Sequence, residues 1–206
     1  MKDRAALLKR ATRLEWLTVG WNLIEGVIAV SAAVASGSAA LLGFGLDSGV
    51  ESASGLVLLW RLGAERRGGA LSAERIEQLD RRAHRLVALT LFLLAAYIAL
   101  DSTAALWRGE RSETSSVGIV LVTVSILVMR WLAHAKADAA RKLGSRALEA
   151  DSFQTLACWW LSIVALAGLG LNAALGWWWA DPVAALGIVA LIIREGIEAW
   201  RGEGCC

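Results

Sequence analysis

The sequence predicts an all-α, polytopic membrane protein of six transmembrane helices, and three observations lead there. Of its 206 residues 57% are hydrophobic and the mean hydropathy is +0.54, whereas a soluble domain is only about half apolar. Six separate stretches supply the roughly 20 apolar residues that a bilayer core of about 30 Å requires. A single Pro and few Asn exclude a loop-rich β protein and a disordered chain. With 21 Lys and Arg against 19 Asp and Glu, the net charge of +2 gives no polybasic surface, so a nucleic-acid partner is excluded. Three Cys, two of them terminal, make no disulfide framework.

The first span is expected near residues 14–36, after a basic amphipathic segment, Met1 to Arg13, that lacks a signal-peptide cleavage site and is therefore retained. The others are expected near 38–60, 86–107, 115–136, 148–171 and 180–200, with a polar, partly helical loop at 61–85. No segment is long enough for a soluble domain, so 1–206 reads as one transmembrane domain. Lys2, Lys9 and Arg10, then Arg61 to Arg85, then Lys136, Arg141 and Lys142 all fall on one side, and only Arg108 and Arg111 on the other. Cytoplasmic loops carry the excess of Lys and Arg, so both termini are expected inside, in a plasma-membrane protein. Trp107 and Trp177 to Trp179 mark the outer interface, Trp60 and Trp200 the inner one.

Carboxylates inside a bilayer are costly and mark functional sites by default. Asp47 and Glu51, four apart in the second span, share one helix face. Two such acids repel unless a cation or proton sits between them, so the face reads as cation-binding. The fifth span carries Asp151, then Gln154 and Cys158 at the same spacing. A faint repeat joins the two spans: Gly37-Ser38 with Ala40-Leu41 recurs as Gly144-Ser145 with Ala147-Leu148, which sets Asp47 over Gln154 and Glu51 over Cys158. The spans run in opposite directions, so counting about 1.5 Å per residue brings Asp47 level with Cys158 and Glu51 level with Gln154. Inverted repeats meeting at a buried site are the architecture of a secondary transporter. Two carboxylates, an amide oxygen and a thiolate suit a tetrahedral, borderline-soft ion such as zinc. Because the acids and the thiol bind deprotonated, metal binding releases protons and offers a route to exchange.

Other polar residues are candidates for accessory roles. Glu25, with Asn22 one turn earlier, lies near mid-depth in the first span as a proton or metal entry ligand, against a purely structural acid. Asp101 is placed toward an outward exit, and Asp181, next to Pro182, is expected to cap the sixth helix. The terminal Cys205-Cys206 pair either collects soft metal or has no role.

These residues resemble the cation diffusion facilitator family of metal/proton antiporters. The likeness rests on Gly37-Ser38, Ala40-Leu41-Leu42 and Leu46-Asp47-Ser48-Gly49-Val50-Glu51-Ser52, on Leu148-Glu149-Ala150-Asp151 leading into Gln154 and Cys158, and on Gly176-Trp177-Trp178-Trp179-Ala180-Asp181-Pro182. It implies a six-helix, cation diffusion facilitator-like fold and a homodimer in the lipid bilayer. It also implies export of a divalent metal, zinc first, by alternating access against protons. The family's pattern is His or Asp followed four residues later by Asp in both helices. Gln154 and Cys158 depart from it, so iron, cobalt or cadmium stand beside zinc. The chain stops at Cys206, soon after the last span, which implies a membrane-domain-only branch without the family's cytoplasmic domain. No permanent cofactor is implied, and no nucleophile-base pair suggests an enzyme. A non-transporting metal sensor or partner-binding protein with a degenerate site, and a metal channel, stay open as alternatives.

Overall fold

The computed structural model describes residues 2–66 and 73–201 of the chain. Six helices make up the described residues: α1 (Lys2–Ser36), α2 (Ala39–Arg66), α3 (Ala73–Arg108), α4 (Ser116–Leu143), α5 (Arg146–Leu175) and α6 (Ala180–Arg201). The expected 61–85 loop is helical on both flanks of residues 67–72, which lie outside the described residues, as do Cys205 and Cys206. Four helices contain stretches apolar and long enough to cross a membrane, namely Ala5–Ser36, Leu91–Arg108, Ser116–Leu143 and Asp151–Leu175. In α2 the small residues and the Asp47 and Glu51 carboxylates lower the mean hydropathy, and in α6 Asp181, Arg194 and Glu195 interrupt the apolar run.

The bundle exposes large apolar side chains and buries charged ones among an apolar core, an inversion of the soluble pattern. Val34, Leu100, Trp107 and Leu127 are exposed, while Glu15, Asn22, Glu25, Asp47, Glu51 and Lys136 are buried. Lipid surroundings produce that inversion, because burial in protein is then the only way to keep charge out of hydrocarbon.

Two tight helical hairpins organise the chain, α1 with α2 and α4 with α5, and these pairs pack together most extensively. The repeat legible in the sequence is the turn chemistry of these hairpins. Gly37 and Gly144 take left-handed backbone, φ +69° and +64°, which ends the preceding helix at little steric cost. Ser38 and Ser145 then cap the next helix, their hydroxyls accepting from the backbone N–H of Leu41 at 3.1 Å and of Leu148 at 3.4 Å. The N-terminus of α2 has a second cap, which corrects the expectation for Asp181. This residue lies in the first turn of α6, yet its carboxylate accepts from the Ser38 hydroxyl at 2.6 Å and from the Ala39 N–H at 3.0 Å. The N-terminus of α2 lacks acidic residues in its own first turn, so an acid from α6 supplies the charge that the exposed N–H groups and helix dipole favour.

At the other end of α2 an ion triad ties three helices together. Lys136 of α4, counted with the loop cations from the sequence, is fully buried. Its ammonium lies 2.6 Å from Asp151 of α5 and 3.0 Å from Glu15 of α1. The helix α2 closes over the triad at Gly55, where a Cβ would come within 2.7 Å of Glu15 Oε1. Removing one partner from a buried ion pair leaves an uncompensated charge and costs about 3–5 kcal/mol. Lys136→Met is therefore expected to lower the thermal midpoint in detergent sharply. The triple change Glu15→Gln, Lys136→Met, Asp151→Asn should recover most of the loss, since no charge is then stranded. Asp181→Ala should cost about 1 kcal/mol, the worth of a lost helix cap, in the same melting measurement.

Candidate functional site

Between the Asp181 cap and the Lys136 triad, α2 presents Asp47 and Glu51 to α5. Both acids are buried, as are Thr155 and Cys158 opposite them. The Cys158 thiol donates to Asp47 Oδ2 at 3.3 Å, and the Thr155 hydroxyl to Glu51 Oε1 at 3.0 Å. Glu51 Oε2 has no hydrogen-bond partner among the described residues. Thr155 Oγ also accepts from Lys136 Nζ at 3.2 Å, which links the triad to Glu51 through one hydroxyl.

The structure therefore brings together Asp47, Glu51 and Cys158 of the residues singled out from sequence, and it does not bring Gln154 with them. Gln154 is half-buried, and its side-chain carbonyl accepts from Ser54 at 3.3 Å, beyond Glu51 on α2. The buried stripe of α5 runs through Asp151, Thr155, Cys158 and Ser162, steps of four and three residues. Gln154 is about 100° around the helix from Thr155 and about 70° from the centre of that stripe, and Thr155 takes the place opposite Glu51. Asp151 is held by Lys136 rather than offered to the Asp47 face.

Glu25 and Asn22 of α1 are fully buried beside the site. Glu25 Oε2 is 3.4 Å from the Ser48 hydroxyl of α2. The same carboxylate is within electrostatic reach of Glu51 and Asp47. Asp101 is remote from these residues. It is exposed and lines a cavity of about 370 Å³ with Tyr97, Glu110, Arg111 and Asp181, at the end of the bundle where the α1–α2, α3–α4 and α5–α6 connections meet. Glu195 of α6 was not singled out from sequence, yet it is within electrostatic reach of Asp47 and Glu51. Its signal was present as an acid inside the expected 180–200 span, flanked by the charged Arg194 and Glu198. Among the described residues no three His, Cys, Asp or Glu side chains already stand in a metal-holding cluster. Asp47 and Cys158 are instead bonded to each other, an arrangement in which each neutralises part of the other's polarity.

Inward-facing acids on a bundle of lipid-compatible helices define a polytopic membrane protein with a polar interior, the class to which transporters belong. Residues 16–201 match the cation efflux transmembrane domain, and the chain belongs to that family, the cation diffusion facilitators. It is 27% identical over 192 residues to an uncharacterized transporter, sll1263, of Synechocystis sp., covering 90% of this chain and 60% of that protein. It is 26% identical over 184 residues to the magnetosome protein MamB of Magnetospira sp., covering 89% of this chain and 61% of that one. The chain thus spans about three fifths of the length of these curated relatives.

The stripe on α5 yields a direct test. If Glu51 holds metal, Thr155→Val, which removes the hydroxyl donating to its Oε1, is expected to weaken Cd²⁺ binding by roughly ten- to a hundredfold, as loss of a contact to a metal ligand does. Gln154→Leu should leave it within about threefold, less than 1.4 kcal/mol. Equilibrium Cd²⁺ titration of the detergent-solubilised protein reads both.

Proposed function

We propose that this chain exports a divalent transition metal, zinc first, across the plasma membrane in exchange for protons, by alternating access and with both termini cytoplasmic. Asp47, Glu51 and Cys158 are the cargo ligands in this reading, with Thr155 orienting Glu51 and Gln154 outside the ligand set. The observation that carries it is the pairing of two buried carboxylates on α2 with a thiol and a hydroxyl on α5. Membership of the cation efflux family gives the reaction its class. A set of two oxygens and a sulfur favours zinc or cadmium over hard cations, which prefer all-oxygen shells. The proton enters through the ligands themselves. A carboxyl and a thiol must lose protons to bind metal, and regain them when it leaves, so cargo and protons compete for the same atoms. The homodimer belongs to the same reading, on the family likeness.

The test is Zn²⁺ flux in proteoliposomes, with and without an imposed pH gradient. Wild-type flux should follow the gradient, and Asp47→Asn should reduce it by at least about tenfold, the ratio that 1.4 kcal/mol of lost binding represents. Cys158→Ser should reduce Zn²⁺ and Cd²⁺ flux more than Mn²⁺ flux, since only the softer ions gain from sulfur. Binding without flux in the wild type would replace this reading with a sensor, and flux indifferent to pH would replace it with a channel.

A further inference from the structure

Beside the α2–α5 pairs, the interior holds a second concentration of polar atoms that nothing in the fold satisfies. Glu25, Asn22 and Ser125 are all fully buried. Glu25 Oε1, both side-chain amide atoms of Asn22 and the Ser125 hydroxyl have no hydrogen-bond partner among the described residues. They belong to two helices, α1 and α4. Asn22 and Glu25 lie three residues apart, on one face of α1. Ser125 of α4 faces the Glu25 carboxylate without closing a hydrogen bond. Ser48 of α2 touches that carboxylate only at 3.4 Å, and the same hydroxyl is 3.1 Å from the Phe44 carbonyl, to which it can give its one proton.

A buried polar group without a partner costs about 1–3 kcal/mol, more when charged, and native proteins tolerate only isolated cases. A carboxylate oxygen facing a bare hydroxyl, with a bare amide one turn away on the same face of α1, is therefore the lining of a binding site and not a packing accident. The donor atoms are a carboxylate oxygen, an amide oxygen and hydroxyl oxygens, without sulfur or nitrogen ligands. That chemistry suits a hard or partly hydrated divalent cation, with the Asn22 N–H groups free to bond water oxygens. The local charge points the same way. Glu25, Asp47, Glu51 and Glu195 are within electrostatic reach of their neighbours in this cluster, while the buried cation, Lys136, is already shared by Asp151 and Glu15.

We propose that Asn22 and Glu25, with Ser48 and Ser125, form a second, all-oxygen subsite for a divalent cation next to Asp47, Glu51 and Cys158. The inference deepens the transport reading and rests on it for the identity of the cargo. The subsite receives the cation with part of its water, and the sulfur-bearing site takes it once that water is shed. Two subsites of different hardness let an ion move in steps, each binding weakly enough to release it.

Two probe ions separate the sites in the detergent-solubilised protein carrying Cys205→Ser and Cys206→Ser, so that Cys158 is the one thiol left: Mn²⁺, followed by the electron paramagnetic resonance of the free ion, and Cd²⁺, followed by its thiolate absorption. Glu25→Gln should weaken Mn²⁺ binding by roughly a hundredfold, the upper end of what a lost contact around a metal costs, with the Cd²⁺ band intact. Asn22→Leu should act in the same direction, whereas Glu25→Asp, which keeps the carboxylate charge, and Asn22→Asp, which adds one, should retain Mn²⁺. Cys158→Ser should abolish the Cd²⁺ band and leave Mn²⁺ affinity unchanged. The subsite is overturned if Glu25→Gln binds Mn²⁺ as wild type does, or if it loses the Cd²⁺ band together with Mn²⁺, because one shared site then explains both. A Cd²⁺ band that survives Cys158→Ser would instead overturn the assignment of Cys158, and leaves the Glu25 comparison standing.

Discussion

The rest of the interior depends on one ammonium group. Lys136 is fully buried and lies within 3.0 Å of two carboxylates from different helices. In a medium that excludes water, neither Glu15 nor Asp151 has another cation among the described residues, so Lys136 fixes the distances between α1, α4 and α5. Its bond to the Thr155 hydroxyl carries that constraint one step further, because the same oxygen donates to Glu51. Glu51 is thereby aimed by a charge two hydrogen bonds away, with its second oxygen left without a partner among the described residues. A hydrophobic core of equal volume holds helices together as well, and often better. What it does not do is point a carboxylate.

The polar features lie in order along α2. From the Asp181 cap at Ser38 and Ala39, counting about 1.5 Å per residue, Asp47 lies about 14 Å along the helix, Glu51 about 20 Å and Gly55 about 26 Å. Asp47 and Glu51 thus sit between a capped helix end and the triad, each held by a contact with another helix. Gly55 matters in this ladder because only a residue without a Cβ lets α2 pass so close to Glu15. Not every buried acid oxygen meets a donor: Glu51 Oε2, Glu25 Oε1, Glu195 Oε1 and both oxygens of Glu15 have no hydrogen-bond partner among the described residues, although the Lys136 ammonium lies 3.0 Å from Glu15.

The helices, and the meeting of Asp47 with Cys158, were legible in the sequence because both follow from periodicity and rise per residue. The Gly-Ser repeat was legible too, and its physical meaning, a left-handed Gly stop followed by a Ser start, explains why two distant segments share it. Lys136 was hidden because it falls at the estimated edge of a span, where a cation is ordinarily exposed. Only the position of Asp151 across the α4–α5 turn makes it internal. Thr155 was passed over for Gln154 because an i,i+4 match with α2 looks stronger than an i,i+3 step, although both spacings share a helix face. Asp181 was assigned to its own helix because local capping is the default, and nothing in a single sequence reveals that α6 begins beside the start of α2.

The division of donors and acceptors between the two hairpins has a mechanical consequence. The α1–α2 pair contributes carboxylates: Glu15, Glu25, Asp47 and Glu51. The α4–α5 pair contributes the groups that face them: Lys136, Ser125, Cys158 and Thr155. Three of these contacts cross the seam between the pairs, Glu15 to Lys136, Glu51 to Thr155 and Asp47 to Cys158. Lys136 to Asp151 lies wholly on one side. A rigid separation of the hairpins, the motion expected when one repeat rocks against the other, breaks the three seam contacts together and keeps Lys136 paired. The ammonium is never stranded, so the cost of opening falls on Glu15, Glu51 and Asp47. Those are acids, and the partners that restore their balance are cations or protons from solution. In the transport reading proposed above, an opening that exposes acids on one wall and a still-neutralised lysine on the other would favour entry of cations, and the seam would reclose when they leave.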